Sequence, residues 1–324
     1  AAAKYPHVRL FFNEKCTDVD ADTGRLDFTN TKTGQHQCVE ASTILSVDGA
    51  FSAVRRALQK RERFNYSQTY LEHGYKELTI PAAPGGGFRI EKNALHIWPR
   101  KSFMMIALPN ADGSFTVTLF WPFEGENSFA AIRNESDLQA FFAEQFPDAV
   151  PLMPDLAADY FHNPTGSMVT VRCSPWHAGS RVCLLGDAAH AVVPFYGQGM
   201  NATFEDVLVL SECMERLEPH RESVFAEFET LRKPNTDALA ELAVGNFVEM
   251  RDKTGSRLFR WKKKYEKLLA KTLPGWFVPL YVMVTFTRIP CAHAVRRAKR
   301  QNRCVLAVVI ALACLMVAIL RWAT

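Results

Sequence analysis

Apolar and polar positions along the chain fall into three textures. In the first, runs with strand spacing at His7 to Phe12, Arg25 to Phe28 and Thr43 to Val47 precede a segment from Ala50 to Lys60, where Phe51, Val54 and Leu58 recur at helical spacing. Thr43 to Val47 is an apolar run that stops at Asp48-Gly49, so the pattern reads strand, tight turn, helix. The same grammar returns where Val182 to Leu185 stops at Gly186-Asp187. A glycine-rich turn through Pro194, Phe195, Tyr196, Gly197, Gln198, Gly199, Met200 and Asn201 then opens a long helix. Two such junctions at the carboxyl ends of buried strands predict one doubly wound sheet holding one ligand.

The second texture lies between those junctions. Gly74 to Pro81, Ala94 to Trp98, Phe103 to Pro109 and Phe115 to Phe123 are rich in β-branched and aromatic residues, and an Asn110-Ala-Asp-Gly113 turn joins the last two. They predict an antiparallel meander. Two-residue alternation puts Met104, Ile106 and Leu108 on one face, with Phe120 opposite them on the neighbouring strand. That face suits the roof of an aromatic ligand site, and it equally suits ordinary core packing.

The third texture is C-terminal. Cys304 to Leu320 is an uninterrupted apolar run, preceded by Arg296, Arg297, Lys299, Arg300 and Arg303 and followed by Arg321-Trp322. Its length just crosses the hydrocarbon layer, and it has no polar face of the kind a buried core helix shows. The reading is a tail anchor with the body in the cytosol and no signal peptide. Upstream, Trp276 to Thr287 is apolar and aromatic but holds Pro279, and is expected to form a helix lying against the bilayer or over the core.

Composition narrows the classes. With 324 residues, 48% of them hydrophobic, the chain can bury a sizeable core, and two domains are expected. The net charge of +4 is modest and its basic clusters lack an aromatic-basic recognition motif, which argues against nucleic acid. The eight cysteines form no C-x-x-C pair and read as reduced thiols, and the nine histidines have no metal-ligand spacing, so no metal is expected. His190 reads as a packed or capping residue rather than a base.

Chemistry concentrates at Gly186-Asp187. A carboxylate at a strand end beside glycine-exposed backbone N–H donors can hold sugar-alcohol hydroxyls and a polarised ring together. A lone Gly-Asp pair would serve as well for a helix cap and a turn; the long glycine-rich string favours a cofactor-sized site. No acid–base triad is found, and no catalytic side chain is assigned.

Several strings carry a resemblance: Lys4 to Pro6, Asp48 to Arg55, His73 to Pro81, Leu95 to Arg100, Phe103 to Asn110, Leu185 to Asn201 and Val282 to Phe286. On these the chain resembles the kynurenine 3-monooxygenase family of single-component flavoprotein hydroxylases. The resemblance implies FAD and NADPH as cofactors, with dioxygen and L-kynurenine as substrates and 3-hydroxykynurenine as product. It implies that Asp187, after Gly186, binds the ribityl and phosphate region, and that Gly197, Gln198, Gly199, Met200 and Asn201 form the cradle beside the isoalloxazine. Asp48 and Gly49, in a box that ends at Arg55, are similar to a segment that meets both FAD and NADPH, and Cys16 stands where the backbone meets the adenine. For the substrate, the resemblance assigns Leu95, Met104, Ile106, Leu108 and Phe120 to an apolar wall. It places Pro194 and Phe195 where ring and flavin meet, and gives Asn246, which the residue pattern reads as a surface helix position, the amino-acid end of the ligand.

The implied fold class is α/β, α+β overall: an incomplete FAD-binding doubly wound domain, an antiparallel substrate sheet and a C-terminal helical membrane anchor. The expected divisions are 1–62 and 173–218 for the FAD-binding part, 63–172 for the substrate sheet, 219–295 for a helical region and 296–324 for the basic flank and span. The family's location implies the mitochondrial outer membrane. The family's G-x-G-x-x-G turn and its N-terminal arginine and tyrosine pair have no match in this sequence, and Cys291 and Tyr196 stand where the family has tyrosine and phenylalanine. A chain lacking that first βαβ unit is expected to bind FAD weakly or not at all, since each large side chain uncovered costs about 1.5–3 kcal/mol. Two other readings stay open: a non-catalytic, tail-anchored interaction protein derived from such an enzyme, and another FAD-dependent aromatic hydroxylase.

Overall fold

The computed structural model describes residues 4–253 and 256–323. Its first strands are β1 (Glu14–Asp20), β2 (Arg25–Asn30), β3 (His36–Glu40) and β4 (Ile44–Ser46), followed by helix α1 (Ala53–Leu58). Next come β5 (Asn65–Ile80), β6 (His96–Pro99), β7 (Met104–Pro109), β8 (Phe115–Pro122), α2 (Glu135–Gln145), α3 (Leu156–His162) and β9 (Gly166–Ser174). The remainder comprises β10 (His177–Ala178), β11 (Val182–Leu184), α4 (Asp187–His190), α5 (Gly199–Leu217), α6 (Arg221–Val248), α7 (Arg257–Thr272), α8 (Leu280–Phe286) and α9 (Cys291–Ala323). The chain divides into two compact units, one of Ala1–Thr69, Thr170–Glu241 and Pro290–His293, the other of Tyr70–Val169, Leu242–Ile289 and Ala294–Thr324.

In the first unit, β4 and β11 run parallel, pairing Ile44 with Val182 and Ser46 with Leu184, and β10 flanks β11 antiparallel. The ladder runs one residue further, where Leu185 N–H donates to the Ser46 carbonyl at 2.9 Å. The two junctions foreseen at Asp48-Gly49 and Gly186-Asp187 therefore lie side by side at the carboxyl ends of neighbouring parallel strands. Val182, Cys183 and Leu184 are buried, together with Trp176, Leu58, Leu210, Phe225 and Phe228, in one core. A separate antiparallel sheet, β1-β2-β3, packs Val19 and Leu26 onto that core.

Two expectations for this unit are corrected. His7 to Phe12 forms no strand, and Val8, Leu10, Phe11 and Phe12 are exposed. Alternating apolar residues make a strand only against a neighbour, and no described strand pairs with this segment. The helix foreseen from Ala50 to Lys60 is only Ala53–Leu58, because Ser52 caps it by accepting from Arg55 N–H at 2.9 Å. Phe51 therefore precedes the helix and is exposed, while Val54 and Leu58 are buried.

In the second unit, five strands pair in the order β6-β7-β8-β5-β9. The Asn110–Gly113 turn closes the β7–β8 hairpin, with Asn110 N–H donating to the Ser114 carbonyl at 2.8 Å and Gly113 at φ 89°. One face of the sheet, carrying Leu78, Ile80, Met105, Ala107, Val117, Leu119 and Trp121, packs on Leu138 and Phe142 of α2 and on Leu156 and Tyr160 of α3. Asn134 caps α2 by accepting from Asp137 N–H at 2.9 Å.

The region around Trp276 to Thr287 is also shorter in helix than expected. Gly275 turns the chain at φ 84°, and the helix begins only after Pro279, whose fixed φ suits a helix start while disfavouring helix before it. Its Met283 packs on Ala294 and Ala298 of α9. Within α9, Cys291–Ile319 is long and apolar enough to cross a membrane by length and composition, and its most apolar stretch is not buried.

Candidate functional site

Where the two junctions meet, a cavity of about 510 Å³ opens at the strand ends. Gly49, Gly186, Asp187, Pro194, Gly197, Gly199 and Met200 line it, and so do Val47, Val192 and Thr203, which the sequence did not single out. Each junction reaches this rim by different means.

At the first junction the acid is consumed internally. One oxygen of Asp48 accepts from the N–H groups of Ala53 (2.7 Å) and Val54 (3.3 Å), and the other from Ser46 Oγ (2.5 Å). Burial opposes ionisation of this carboxyl, but the hydrogen bonds from Ser46, Ser52 and the two N–H groups outweigh it and hold its pKa below the ordinary value. Gly49, not Asp48, faces the cavity. The box also ends in a brace: buried Arg55 donates to the Ala188 carbonyl at 2.7 Å and to the Ala50 carbonyl, linking α1 to α4.

At the second junction the acid is left outward. Asp187 is exposed, and among the described residues none donates a hydrogen bond to its carboxylate. Its position depends on Gly186, at φ 55°, where an added Cβ would lie 2.8 Å from Thr203 Oγ1 and 2.9 Å from its Cγ2. Only glycine lets the turn approach α5 this closely.

The acid that braces this turn comes from elsewhere. Asp206 of α5, fully buried, accepts on one oxygen from Gly186 N–H (2.9 Å) and pairs with His190 Nε2 (2.6 Å). Its other oxygen accepts from Arg232 Nε of α6 at 2.7 Å. Arg232 is buried as well, donates to the Ala202 carbonyl at 3.1 Å, and pairs with Glu205 at 2.6 Å. Burial would raise the Asp206 pKa, yet His190 and Arg232 more than compensate and hold it low. His190, as expected, is packed: it is buried and paired with Asp206. Asp206 and Arg232 escaped the sequence reading.

The remaining cradle residues sort differently. Gln198 stands at the N-cap of α5 without a side-chain capping bond, and its side-chain oxygen accepts from Asn201 Nδ2 at 3.0 Å. Gly199, Met200 and Asn201 form the first turn of α5, whose N–H groups have no partner within the helix. Pro194 is on the cavity rim, whereas Phe195 and Tyr196 of the same turn are buried. Cys16 lies inside β1 at a bulge and is half-buried against the core. Burial, then the charges of Asp48, Asp18 and Asp27, push its thiol pKa up.

The residues assigned to a substrate sit, apart from Pro194 and Phe195, in the second unit. Met104 pairs directly across from Phe120, and Phe120 from Tyr75, so these three cross the sheet in one row on the face opposite α2 and α3. Ile106 is half-buried beside Ile97, while Leu108 and Leu95 are 47% and 44% exposed. Along β7 this face thus passes from buried at Met104 to exposed at Leu108. Gly166 is required beside it, since a Cβ there would lie 2.4 Å from the Tyr75 ring. Asn246, expected at a helix surface, is half-buried near the end of α6, where its Nδ2 lies 3.4 Å from Met250 Sδ. The neighbouring Phe247 packs edge-on against His73 of β5, at 5.0 Å between centroids.

Comparison with known proteins bears on this arrangement. A family model described as FAD binding domain matches residues 1–235. The chain is 52% identical over 290 residues to a kynurenine 3-monooxygenase of Myxococcus xanthus, covering 90% of this chain and 62% of that protein. It is 49% identical to that of Dictyostelium discoideum (90% and 65%) and 47% identical to that of Salinispora tropica (94% and 67%). The chain therefore spans a little under two thirds of the length of the first of these relatives. Among solved structures, the tetrameric 2-methyl-3-hydroxypyridine-5-carboxylic acid oxygenase is similar in fold at a TM-score of 0.56 and 22% identity, over 75% of this chain and 62% of that one. A Klebsiella pneumoniae HpxO variant complexed with FAD is similar at a TM-score of 0.57 and 19% identity, over 79% and 63%.

Proposed function

Since the chain belongs to the FAD binding domain family of flavoprotein monooxygenases, on its kynurenine 3-monooxygenase branch, we propose that the whole protein binds FAD at the paired junctions and hydroxylates L-kynurenine to 3-hydroxykynurenine with NADPH and dioxygen. One observation carries the reading: an exposed, unpartnered Asp187 carboxylate and the first turn of a long helix line one cavity at the ends of parallel strands. The residues fit a flavin. Asp187 is free to accept from ribityl hydroxyls, Gly197 and Gly199 offer no side chain against a flat ring, and Met200 supplies an apolar contact.

Bound FAD would supply the redox chemistry, taking electrons from NADPH and activating dioxygen for transfer to the substrate ring. The protein's part is electrostatic and steric. The N–H groups at the start of α5 are preorganised toward negative charge on a reduced ring, because the helix dipole adds to them. Asp206 and Arg232 hold that helix and the Gly186 turn in one frame without touching the cavity. Met104, Ile106 and Phe120 offer the apolar surface that an aromatic ring and a water-poor reaction need, and Asn246 a polar group for the amino-acid end. A polar residue among them would admit water and favour unproductive consumption of NADPH.

We read α9 as a membrane anchor with the basic flank on the cytosolic side, and the family's residence suggests the mitochondrial outer membrane. Val308→Arg combined with Ile310→Arg should release the protein, each charge costing about 2.5–3.5 kcal/mol on insertion scales.

The activity is tested on the protein as its cells make it. Membranes carrying it, given NADPH and L-kynurenine, should form 3-hydroxykynurenine, and Asp187→Ala should cut the product at limiting FAD, with excess FAD restoring it. Preference for another aromatic acid would move the protein to another hydroxylase of the class. Absence of turnover with every aromatic acid would favour the non-catalytic interaction protein.

A further inference from the structure

Every charged residue of helix α7 is basic except Glu266. At 100° per residue, Trp261, Tyr265 and Leu268 fall within about 60° of arc, a single stripe along the helix. All three are exposed, at 70%, 44% and 56%. The opposite side, with Phe259, Glu266 and Ala270, is half-buried and lies inward, and half-buried Leu269 borders the stripe beside Tyr265. That inward side holds the acid: Lys263 pairs with Glu249 at 3.0 Å and with Glu266 at 3.7 Å, and Lys262 with Glu266 at 3.7 Å. Lys264 and Lys271 edge the apolar stripe on one side, with Lys267 further round on that same side, and none of the three has a carboxylate within ion-pair distance among the described residues. The Lys264 ammonium sits 5.6 Å from the centre of the Trp261 ring.

The surface therefore presents an aromatic, apolar strip edged by unpaired ammonium groups. Its height relative to α9 is set by two hydrogen bonds just beyond its C-terminus. Arg297 donates to the Gly275 carbonyl and Gln301 Nε2 to the Trp276 carbonyl, each at 2.6 Å. At about 1.5 Å per residue, Arg297 and Gln301 lie roughly 10 Å and 5 Å before the apolar stretch that begins at Cys304. If α9 spans a bilayer, as the reading above holds, the end of α7 is pinned at the level of the lipid headgroups.

We propose that α7 lies flat on an anionic lipid surface, with Trp261, Tyr265 and Leu268 in the headgroup layer and Lys264, Lys267 and Lys271 on lipid phosphates and carboxylates. The proposal rests on the anchor reading of α9 for the helix's height, and on α7's own charge and exposure for its occupant. A lipid interface offers apolar and anionic layers at the depths this face demands. Such contact would hold unit and membrane together at a second point, well before the apolar stretch that begins at Cys304.

The full chain, purified in detergent and reconstituted into vesicles, gives the test. Trypsin cleavage after Lys262 and Lys263 is followed in phosphatidylcholine vesicles with and without phosphatidylserine. Phosphatidylserine should slow cleavage by roughly 10-fold or more, and raised salt should restore it. Lys264→Gln, Lys267→Gln and Lys271→Gln together should weaken surface occupancy on the order of 100-fold and abolish the protection. Equal cleavage on both vesicles, or protection that ignores lipid charge and salt, would overturn the proposal. Failure of the anchor reading looks different: the protein would be extracted from every vesicle by alkaline carbonate, while at neutral pH and low salt it would still float only with phosphatidylserine vesicles.

Discussion

The two strand-to-helix junctions are written in the same residues, aspartate beside glycine, and use them in opposite ways. At the first, Asp48 precedes Gly49 and folds back to cap α1, so the carboxylate is spent on its own loop. At the second, Asp187 follows Gly186 and points outward, and the bracing is done by Asp206 of α5. An acid can be offered to a ligand only where something else holds the turn. Order within the dipeptide goes with which carboxylate is spent on its own loop and which, beside a borrowed acid, is left exposed.

The sharpest way to break this contrast is to remove the borrowed acid. Asp206→Ala leaves the Arg232 guanidinium buried without its partner and Gly186 N–H without an acceptor, so unfolding free energy should fall by about 3–5 kcal/mol. Denaturant titration measures it. Asp206→Leu with Arg232→Met should recover much of the loss, because the uncompensated charge goes with its partner; a double variant no better than the single would mean the frame is held by other contacts. Next in size is Gly186→Ala. The positive φ and the overlap with Thr203 together should cost about 2–4 kcal/mol, and adding Thr203→Ser should return part of it.

Asp187→Ala separates binding from support. Because the side chain is exposed and unpartnered, stability should hold within about 0.5 kcal/mol. FAD affinity, read by quenching of flavin fluorescence, should instead fall roughly 10- to 150-fold, the worth of a hydrogen bond to a charged group. Loss of stability with unchanged affinity would reverse the roles assigned to the two acids.

How much of this was legible depends on whether the signal was local. The junctions were, because an apolar run ending in aspartate and glycine carries its turn in adjacent residues. The β7–β8 hairpin was legible for the same reason. Strand β3 was not: all five residues are exposed, so its pairing with β2 leaves no apolar alternation to read. Asp206 and Arg232 stand 20 and 46 residues beyond Gly186, and no spacing joins them. A weaker signal was available, since Ala202, Asp206, Leu210 and Cys213 form the buried stripe of α5. An acid in such a stripe needs a buried partner, and Arg232 in the stripe of Val224, Phe225 and Phe228 is the matching cation. Of the sheet wall, Met104 and Phe120 followed from alternation, but the exposure of Leu108 depends on where the strands end.

The smallest effect belongs to Asp48, and pH separates it from the others. Removing a helix-capping acid costs about 0.5–2 kcal/mol, so Asp48→Ala should be milder than Asp206→Ala. The folded carboxyl titrates below its ordinary value, so its contribution is fully present above the unfolded pKa of about 3.9 and fades as pH falls through the lower folded value. The stability difference between the protein and Asp48→Ala should therefore stay constant from neutrality to about pH 5 and shrink below about pH 4. Asp206 is common to both proteins, and its own acid loss cancels in the difference as long as the two acids act independently. A difference that persists unchanged at the lowest pH where both remain folded would mean that Asp48 supports α1 through its shape and neutral hydrogen bonding, and that charge has no part in holding the first junction.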